Sequence, residues 1–274
     1  MNYMPLKYSV TTVSKEDGDH HCLLLVEVSD NNSVSMSGCW PITGANAELN
    51  LAIKNPTLFA TQAIQQDLKQ AQLNLNGTIT TGKMPTSATK LIVKHESPAL
   101  SALIHTMMKD SNNLYAEIIT RTLGEEYYHH ATLEEGANAI KAIMKNKTKI
   151  DFDNSELFDG AGNRYTLLSP DQIIHVLLTA YRSPFKQIFI DSLPQSGKNI
   201  DGTLGKQEIY VKQLPDNIHA KTGSMKGIIN LSGYMTTESK KPIIFSILIN
   251  NHIGKPKNAH QLQAALTRYF SKKL

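Results

Sequence analysis

Apolar and β-branched residues cluster in several short runs along the chain. Leu23-Leu24-Leu25-Val26-Glu27-Val28 is followed by the alternating Val34-Ser35-Met36-Ser37, and Asp30-Asn31-Asn32-Ser33 between them reads as a hairpin turn. Near the other end, Ile228–Leu231 and Gly233–Met235 precede Pro242–Ile249 across the polar link Thr237–Lys241. Two such runs around a short link predict an antiparallel pair at the centre of a sheet. Thr78–Thr81 and Lys90–Val93 also read as strands. Helical spacing fills much of the remainder. Asn55-Pro56 supplies a cap and a first-turn proline for a helix to about Gln72. Ser97-Pro98 predicts the start of a second, with Leu100, Leu103, Ile104, Met107 and Met108 on one buried face. In a third, Leu114, Ile118, Ile119 and Leu123 point inward and Gly124 marks the end. Thr132-Leu133-Glu134-Glu135 is a capping-box pattern opening a helix to about Lys147. Ser169-Pro170 opens another, with Ile173, Ile174, Val176, Leu177 and Ala180 apolar. The last, over about Lys257–Lys273, is expected to bury Leu262, Ala265, Leu266 and Tyr269. Strands, then helices, then strands and a terminal helix make an α+β layering rather than an alternating βαβ chain. A boundary is expected near residues 83–97, dividing a β-rich part, 1–90, from a second part, 91–274.

Composition narrows the class. With 274 residues, 41% hydrophobic and 19% charged, the chain can bury a sizeable core. The net charge of +4 is mild and unclustered apart from Lys240-Lys241 and Lys272-Lys273, which gives no case for nucleic acid. No apolar run approaches the length of a membrane-spanning helix. The first ten residues, Met1–Val10, lack a charged segment followed by an apolar one, so no secretory signal is expected there. Cys22 and Cys39 fall on facing arms of the expected hairpin. They read either as a disulfide in an oxidising compartment or as two free buried thiols. The histidines, His20-His21 and His129-His130 among them, show no metal-ligand spacing and read as surface residues.

Candidate chemistry gathers in His219–Met235. Lys221-Thr222-Gly223-Ser224 leads into the apolar strand run. On a strand, Thr222 and Ser224 share one face, and Gly223 allows another backbone to approach. Such an edge can hold an extended peptide by main-chain hydrogen bonds. Upstream lies Ser111-Asn112-Asn113, a Ser-x-Asn, and the two motifs belong to one catalytic set in that order.

Further stretches complete the pattern. Phe158-Asp159-Gly160-Ala161-Gly162-Asn163-Arg164-Tyr165 is followed by Leu167-Leu168-Ser169-Pro170. Leu193-Pro194, Gly197 and Asp201-Gly202-Thr203-Leu204 come next. With Ser-x-Asn and Lys-Thr-Gly-Ser, these stretches resemble the class C low-molecular-mass penicillin-binding proteins. Those are D-alanyl-D-alanine carboxypeptidase/endopeptidases of the penicillin-binding protein 4 type. The region from Ser37-Gly38-Cys39 to Asn76-Gly77-Thr78 is similar to part of their accessory domain, so the resemblance covers nearly the whole chain.

That resemblance implies a serine β-lactamase/transpeptidase-like domain, an antiparallel sheet with helices. It is expected to be incomplete and preceded by part of a β-rich accessory domain. It implies peptidoglycan stem peptides and β-lactams as partners, no metal or organic cofactor, and a place in the periplasm or at the outer face of the membrane. Ser111 is expected to relay a proton, the rival reading being a helix cap. Asn113 is expected to bond the substrate amide, or to be a solvated first-turn residue. Lys221 is expected to hold positive potential over the terminal carboxylate. Thr222, Gly223 and Ser224 form the carboxylate-binding edge, with the Ser224 backbone as an oxyanion donor. Arg164 is expected at a carboxylate of the peptide side chain, or in a surface ion pair. Asp159 and Asp201 read as turn-makers.

Two departures from the family stand out. Asn163 occupies a position usually held by serine. The family's nucleophile lies in a Ser-x-x-Lys ahead of the accessory domain, and the chain is expected to begin after that point. Here Ser-x-x-Lys occurs as Ser87-Ala88-Thr89-Lys90 and Ser183-Pro184-Phe185-Lys186, in the wrong context and the wrong order respectively. Three readings follow: the C-terminal part of a carboxypeptidase/endopeptidase, a non-catalytic binder of stem peptides or β-lactams, or an enzyme using Ser87. Faces that normally bracket the nucleophile's helix are expected to be exposed and to drive self-association.

Overall fold

The structure is a computed structural model that describes all residues except 1–3, 15, 17–21, 43–48, 84–86, 88–89 and 199–201. His20, His21, Ala88, Thr89 and Asp201 lie outside the described residues. The chain divides into two compact units, Met1–Lys94 and His95–Leu274.

In the first unit, β1 (Leu6–Val13), β2 (Leu24–Val28) and β3 (Val34–Pro41) form one sheet in the order β1-β3-β2. β2 and β3 pair antiparallel as the expected hairpin, while β1 runs parallel to β3. The turn is fastened by Asn32, which is fully buried with a left-handed backbone. Its side chain donates to the Asn55 carbonyl and accepts from the Asn55 N–H, both at 2.8 Å. Asn55 in turn caps α1 (Pro56–Gln70) by accepting from the Leu58 N–H at 2.9 Å. Cys22 and Cys39 are joined as a disulfide with their Cα atoms 5.4 Å apart. Gly38 beside it has φ +100°, and a Cβ there would fall 2.1 Å from the Leu23 carbonyl oxygen. The expected strands Thr78–Thr81 and Lys90–Val93 are not strands. Leu91, Ile92 and Val93 are exposed and pair with nothing in the β1-β3-β2 sheet. A β-branched run becomes a strand only when a neighbour supplies its hydrogen bonds and packing.

The second unit runs α2 (Leu100–Asp110), α3 (Asn113–Tyr128), α4 (Leu133–Thr148), α5 (Pro170–Arg182), α6 (Lys186–Ser192), α7 (Thr203–Lys206) and α8 (Glu208–Gln213). The strands β4 (Ile218–Met225), β5 (Ile228–Thr236) and β6 (Pro242–Ile249) follow, then α9 (Pro256–Lys273). The sheet is antiparallel throughout, in the order β4-β5-β6. Alternation sets its two faces. Ile218, Ala220, Leu231 and Met235 pack on one side with Leu204, Tyr210, Leu214 and Ala264. Tyr234 packs on the other with Leu177 and Leu193, and its hydroxyl donates to the Leu177 carbonyl at 2.7 Å.

Local signals set several helix starts. Thr132 accepts from the Glu135 N–H at 3.1 Å, and Ser169 with Gln172 forms a reciprocal capping box. α2 begins later than Ser97-Pro98 predicts: its cap is Ala99, and Ser97 Oγ donates to the Pro98 carbonyl instead. On α2 Leu100 is exposed, while Leu103, Ile104, Met107 and Met108 are half-buried.

Two helices bury faces other than those the apolar spacing predicts. α3 buries Ala116, Thr120 and Gly124, leaves Leu114 and Ile118 exposed, and continues past Gly124 to Tyr128. A Cβ on Gly124 would lie 2.8 Å from the Gly136 nitrogen, and one on Gly136 would lie 2.1 Å from the Thr120 carbonyl oxygen. α3 and α4 therefore touch backbone to backbone, a contact that larger side chains would prevent. α9 buries Ala259, Gln263, Ala264, Thr267 and Ser271, leaving Leu262, Ala265 and Tyr269 exposed. Gln263 is satisfied there by the Tyr210 hydroxyl at 2.5 Å and the Ile229 carbonyl at 3.2 Å.

Candidate active site

The Ser-x-Asn motif is the corner between α2 and α3. Ser111 closes α2 in the left-handed region, φ 55° and ψ 47°, a conformation uncommon for a residue with a Cβ. Asn112 takes over as the cap of α3, its side chain accepting from the Tyr115 N–H at 3.2 Å. The Ser111 hydroxyl is thereby released from capping and accepts a hydrogen bond from Lys221 Nζ at 2.9 Å. Asn113 opens α3 and is exposed to the same space.

Lys221 sits on β4, whose outer edge is covered along its first half. There the Ala220 N–H donates to the Pro194 carbonyl, and the Ser196 N–H to that of Ile218, each at 2.9 Å. Among the described residues no backbone bond continues along that edge past Ala220. By alternation, the main-chain groups of Thr222 and Ser224 point to the open part. Thr222 and Ser224 share the face of Ile218 and Ala220, and Thr222 Oγ1 lies 3.2 Å from Thr203 Oγ1. Lys221 lies on the opposite face, with a second bond from Nζ to the Thr222 carbonyl at 3.2 Å. Burial holds its pKa below the ordinary lysine value.

A cleft of about 450 Å³ joins these parts. Ser111, Asn113, Lys221, Thr222, Gly223 and Ser224 all line it. Arg164 does not; it is exposed on the segment after the Gly160–Gly162 loop. That loop itself forms a wall of the cleft. Asp159 shapes it by accepting from the Gly162 N–H at 2.6 Å and from Asn163 Nδ2 at 2.8 Å. Asp159 is thus a turn-maker, and Asn163 fills the usual serine position with hydrogen bonds of its own. Gly160 lets the loop rest on α3: a Cβ there would lie 1.9 Å from Thr120 Oγ1. Sequence reasoning did not assign Met107, Met108, Gln207 and Met225 to the site, although all four line the cleft. Met107 and Met108 stood in the motif's flank, but their placement depends on the corner at Ser111.

Two further groups, on α2 and β4, were also missed. Lys109 Nζ donates to the Leu193 carbonyl at 2.7 Å, tying α2 to the end of α6. His219 has a depressed pKa, first from burial and then from the Lys109 charge, and its Nδ1 is buried without a hydrogen-bond partner among the described residues.

Among the described residues the second Ser-x-x-Lys forms no serine–lysine pair. Ser183 Oγ donates to the Ala180 carbonyl at 2.8 Å, while Lys186 Nζ lies 3.6 Å over the Tyr181 ring. Ser87 sits at an exposed bend in the first unit, with its two following residues outside the described set. Among the described residues no three His, Cys, Asp or Glu side chains group as a metal site, and no helix is long and apolar enough to cross a membrane.

The sequence profile of the D-Ala-D-Ala carboxypeptidase 3 (S13) family matches residues 3–272. The chain belongs to this family. It is 33% identical over 252 residues to the D-alanyl-D-alanine carboxypeptidase DacB of Haemophilus influenzae, covering 91% of this chain and 52% of that protein. It is 26% identical over 243 residues to the D-alanyl-D-alanine carboxypeptidase of an Actinomadura species, covering 86% of this chain and 45% of that one. Among solved structures, it superposes on penicillin binding protein 4 (dacB) of Haemophilus influenzae, complexed with a β-lactam. The TM-score is 0.77 and the identity 28%, over 98% of this chain and 63% of that one. The S13 chain described here thus has the α+β fold of a penicillin-binding protein, and it spans about half the length of the curated relatives it matches.

Proposed function

We propose that this chain supplies the carboxylate-binding and proton-relay half of a serine D-Ala-D-Ala carboxypeptidase/endopeptidase acting on peptidoglycan stem peptides. The observation that carries this is the 2.9 Å bond from Lys221 Nζ to Ser111 Oγ at the open edge of β4. A peptide's terminal carboxylate meets the Lys221 ammonium and the Thr222 and Ser224 hydroxyls. Its backbone adds to the open strand edge, with Asn113 at its amide. Among the described residues no backbone bond outside the β4–β5 pair takes the Ser224 N–H, which in this reading bonds an oxyanion. Ser111, hydrogen-bonded to a lysine, passes a proton to the leaving amine. In this reading Arg164, exposed on the segment after the cleft loop, meets a carboxylate on the peptide side chain. No metal or organic cofactor takes part. Family membership and the Cys22–Cys39 disulfide support a place in the periplasm or at the outer face of the membrane.

The 274 residues alone act as a binder in this reading. Acylation needs a serine whose proton leaves to a neighbouring lysine; Ser183 and Lys186 are engaged elsewhere, and this reading assigns Ser87 no such role. Incubation with a fluorescent penicillin, followed by intact-mass measurement, tests it. The expected outcome is weak reversible binding, abolished in Lys221→Ala, with no mass gain. A stoichiometric gain lost in Ser87→Ala makes Ser87 the nucleophile; a gain lost only in Ser111→Ala makes it Ser111. Either overturns the binder reading.

A further inference from the structure

The C-terminal end of α3 borders a trough of about 590 Å³ that shares no residue with the cleft. One side of it is a stripe of α4. Glu135, Asn138, Ala142 and Lys145 recur every three or four residues there and so stack along one face of the helix. From Glu135 to Lys145 the stripe runs about 15 Å. Lys141 lies beside it in the same lining. Tyr128, the last residue of α3, also lines the trough, its ring set edge-on to that of Tyr127 with centroids 5.4 Å apart. The remaining wall is the loop after α4, where Phe152 is buried and anchors Asp153 beside it. The Asp153 N–H donates to Asp151 Oδ1 at 2.7 Å, and Gln172 Nε2 donates to the Asp151 carbonyl at 3.0 Å, which fixes this wall to α5.

The charges in the lining cancel. Two acids, Glu135 and Asp153, share it with two lysines, Lys141 and Lys145. Lys145 Nζ donates to Asp153 Oδ2 at 2.7 Å. That bond, with the charges of Lys145 and Lys141, holds the Asp153 carboxyl below its ordinary pKa. An anionic ligand would meet repulsion as well as attraction here, and an apolar one would strip water from charged groups without replacing it. A sugar chain meets neither objection. Its hydroxyls both donate and accept, which matches carboxylates, ammonium groups and the Asn138 amide. The apolar face of a sugar ring can lie on the flat body of a tyrosine whose hydroxyl stays wet. We infer that the trough binds an uncharged sugar chain, the N-acetylated glycan to which stem peptides are attached, an inference whose peptidoglycan part rests on the proposed reading of the cleft. Tyr128 stands about 22 Å along α3 from Asn113, a distance that a short extended peptide spans. One substrate molecule is thereby held by its peptide end in the cleft and by its sugars at the other end of the same helix.

Titration of the 274-residue chain with N,N′,N″,N‴-tetraacetylchitotetraose, followed by amide chemical shifts of the isotope-labelled protein, tests this. Saturable shifts are expected along Glu135, Asn138 and Lys145. Tyr128→Ala, at an exposed position where folding is not at stake, and Asn138→Ala should each weaken binding about tenfold, the scale of one lost polar or stacking contact. Lys221→Ala, which disables the cleft, should leave the sugar titration unchanged. Absence of saturable shifts, shifts confined to other parts of the chain, or an affinity that survives both trough variants overturns the inference and leaves the cleft reading intact. A sulfated heparin tetrasaccharide that binds tighter than chitotetraose overturns it too, since the trough would then be reading charge. If chitotetraose binds as expected but a D-Ala-D-Ala ligand shows no binding sensitive to Lys221→Ala, the sugar site stands and its assignment to peptidoglycan falls with the cleft reading.

Discussion

Lys221 is placed where burial works against its charge and a serine hydroxyl works for it. Burial lowers its pKa, so the ammonium gives up its proton at a pH below the ordinary lysine value of 10.5. Carboxylate binding requires the protonated form. Affinity for a D-Ala-D-Ala ligand is therefore expected to fall as pH rises through that depressed value. A titration of affinity against pH should show the fall beginning earlier than for an exposed lysine, and Lys221→Ala should remove the pH-dependent part. A flat profile up to the ordinary lysine range would contradict this placement. The motif letters placed Ser111 and Lys221 in one catalytic set. They did not show that Asn112 rather than Ser111 caps the next helix, which is what leaves the Ser111 hydroxyl available.

Helix faces obeyed close packing more than hydrophobicity. In α3 the spacing of Leu114 and Ile118 looked like a core face, yet the buried stripe is Ala116, Thr120 and Gly124. The partners on that side are Gly136 of α4 and Gly160 of the cleft loop, both at backbone contact. A helix can approach so closely only through small residues, and the approach itself positions the loop that walls the cleft. Gly136→Val should consequently cost about 2–3 kcal/mol, the scale of overpacking a tight contact. Ile118→Ala, at an exposed position, should change stability by no more than about 0.5 kcal/mol. Chemical denaturation of both variants checks the contrast, and similar midpoints would count against the close α3–α4 contact.

The second unit leaves much apolar surface uncovered. Leu114 and Ile118 on α3 and Leu262, Tyr269 and Phe270 on α9 are exposed. β6 carries no charge from Ile243 to Ile249, and among the described residues no backbone bond covers its edge away from β5. Charges and prolines are the usual guards of such an edge, and here only Pro242 at its start serves. Self-association in solution is the expected outcome, with Leu114→Lys combined with Ile118→Asp reducing it. Analytical ultracentrifugation over a range of concentrations measures this; a monodisperse monomer throughout would contradict it.

Whatever depends on neighbours in sequence was legible from the residues alone. The caps at Asn55, Thr132 and Ser169 are hydrogen bonds spanning three residues, so a local pattern suffices to specify them. The strands β5 and β6 likewise followed from continuous apolar runs with a polar link. Matters that depend on which surfaces meet were decided by the folded chain. Lys90–Val93 has strand composition and finds no partner strand. α9 turned a small and polar face inward because Gln263 finds the Tyr210 hydroxyl and the Ile229 carbonyl there. The cleft belongs to this second kind: Ser111 and Lys221 are 110 residues apart in sequence, and the 2.9 Å between them exists only because the α2–α3 corner and the edge of β4 pack against each other.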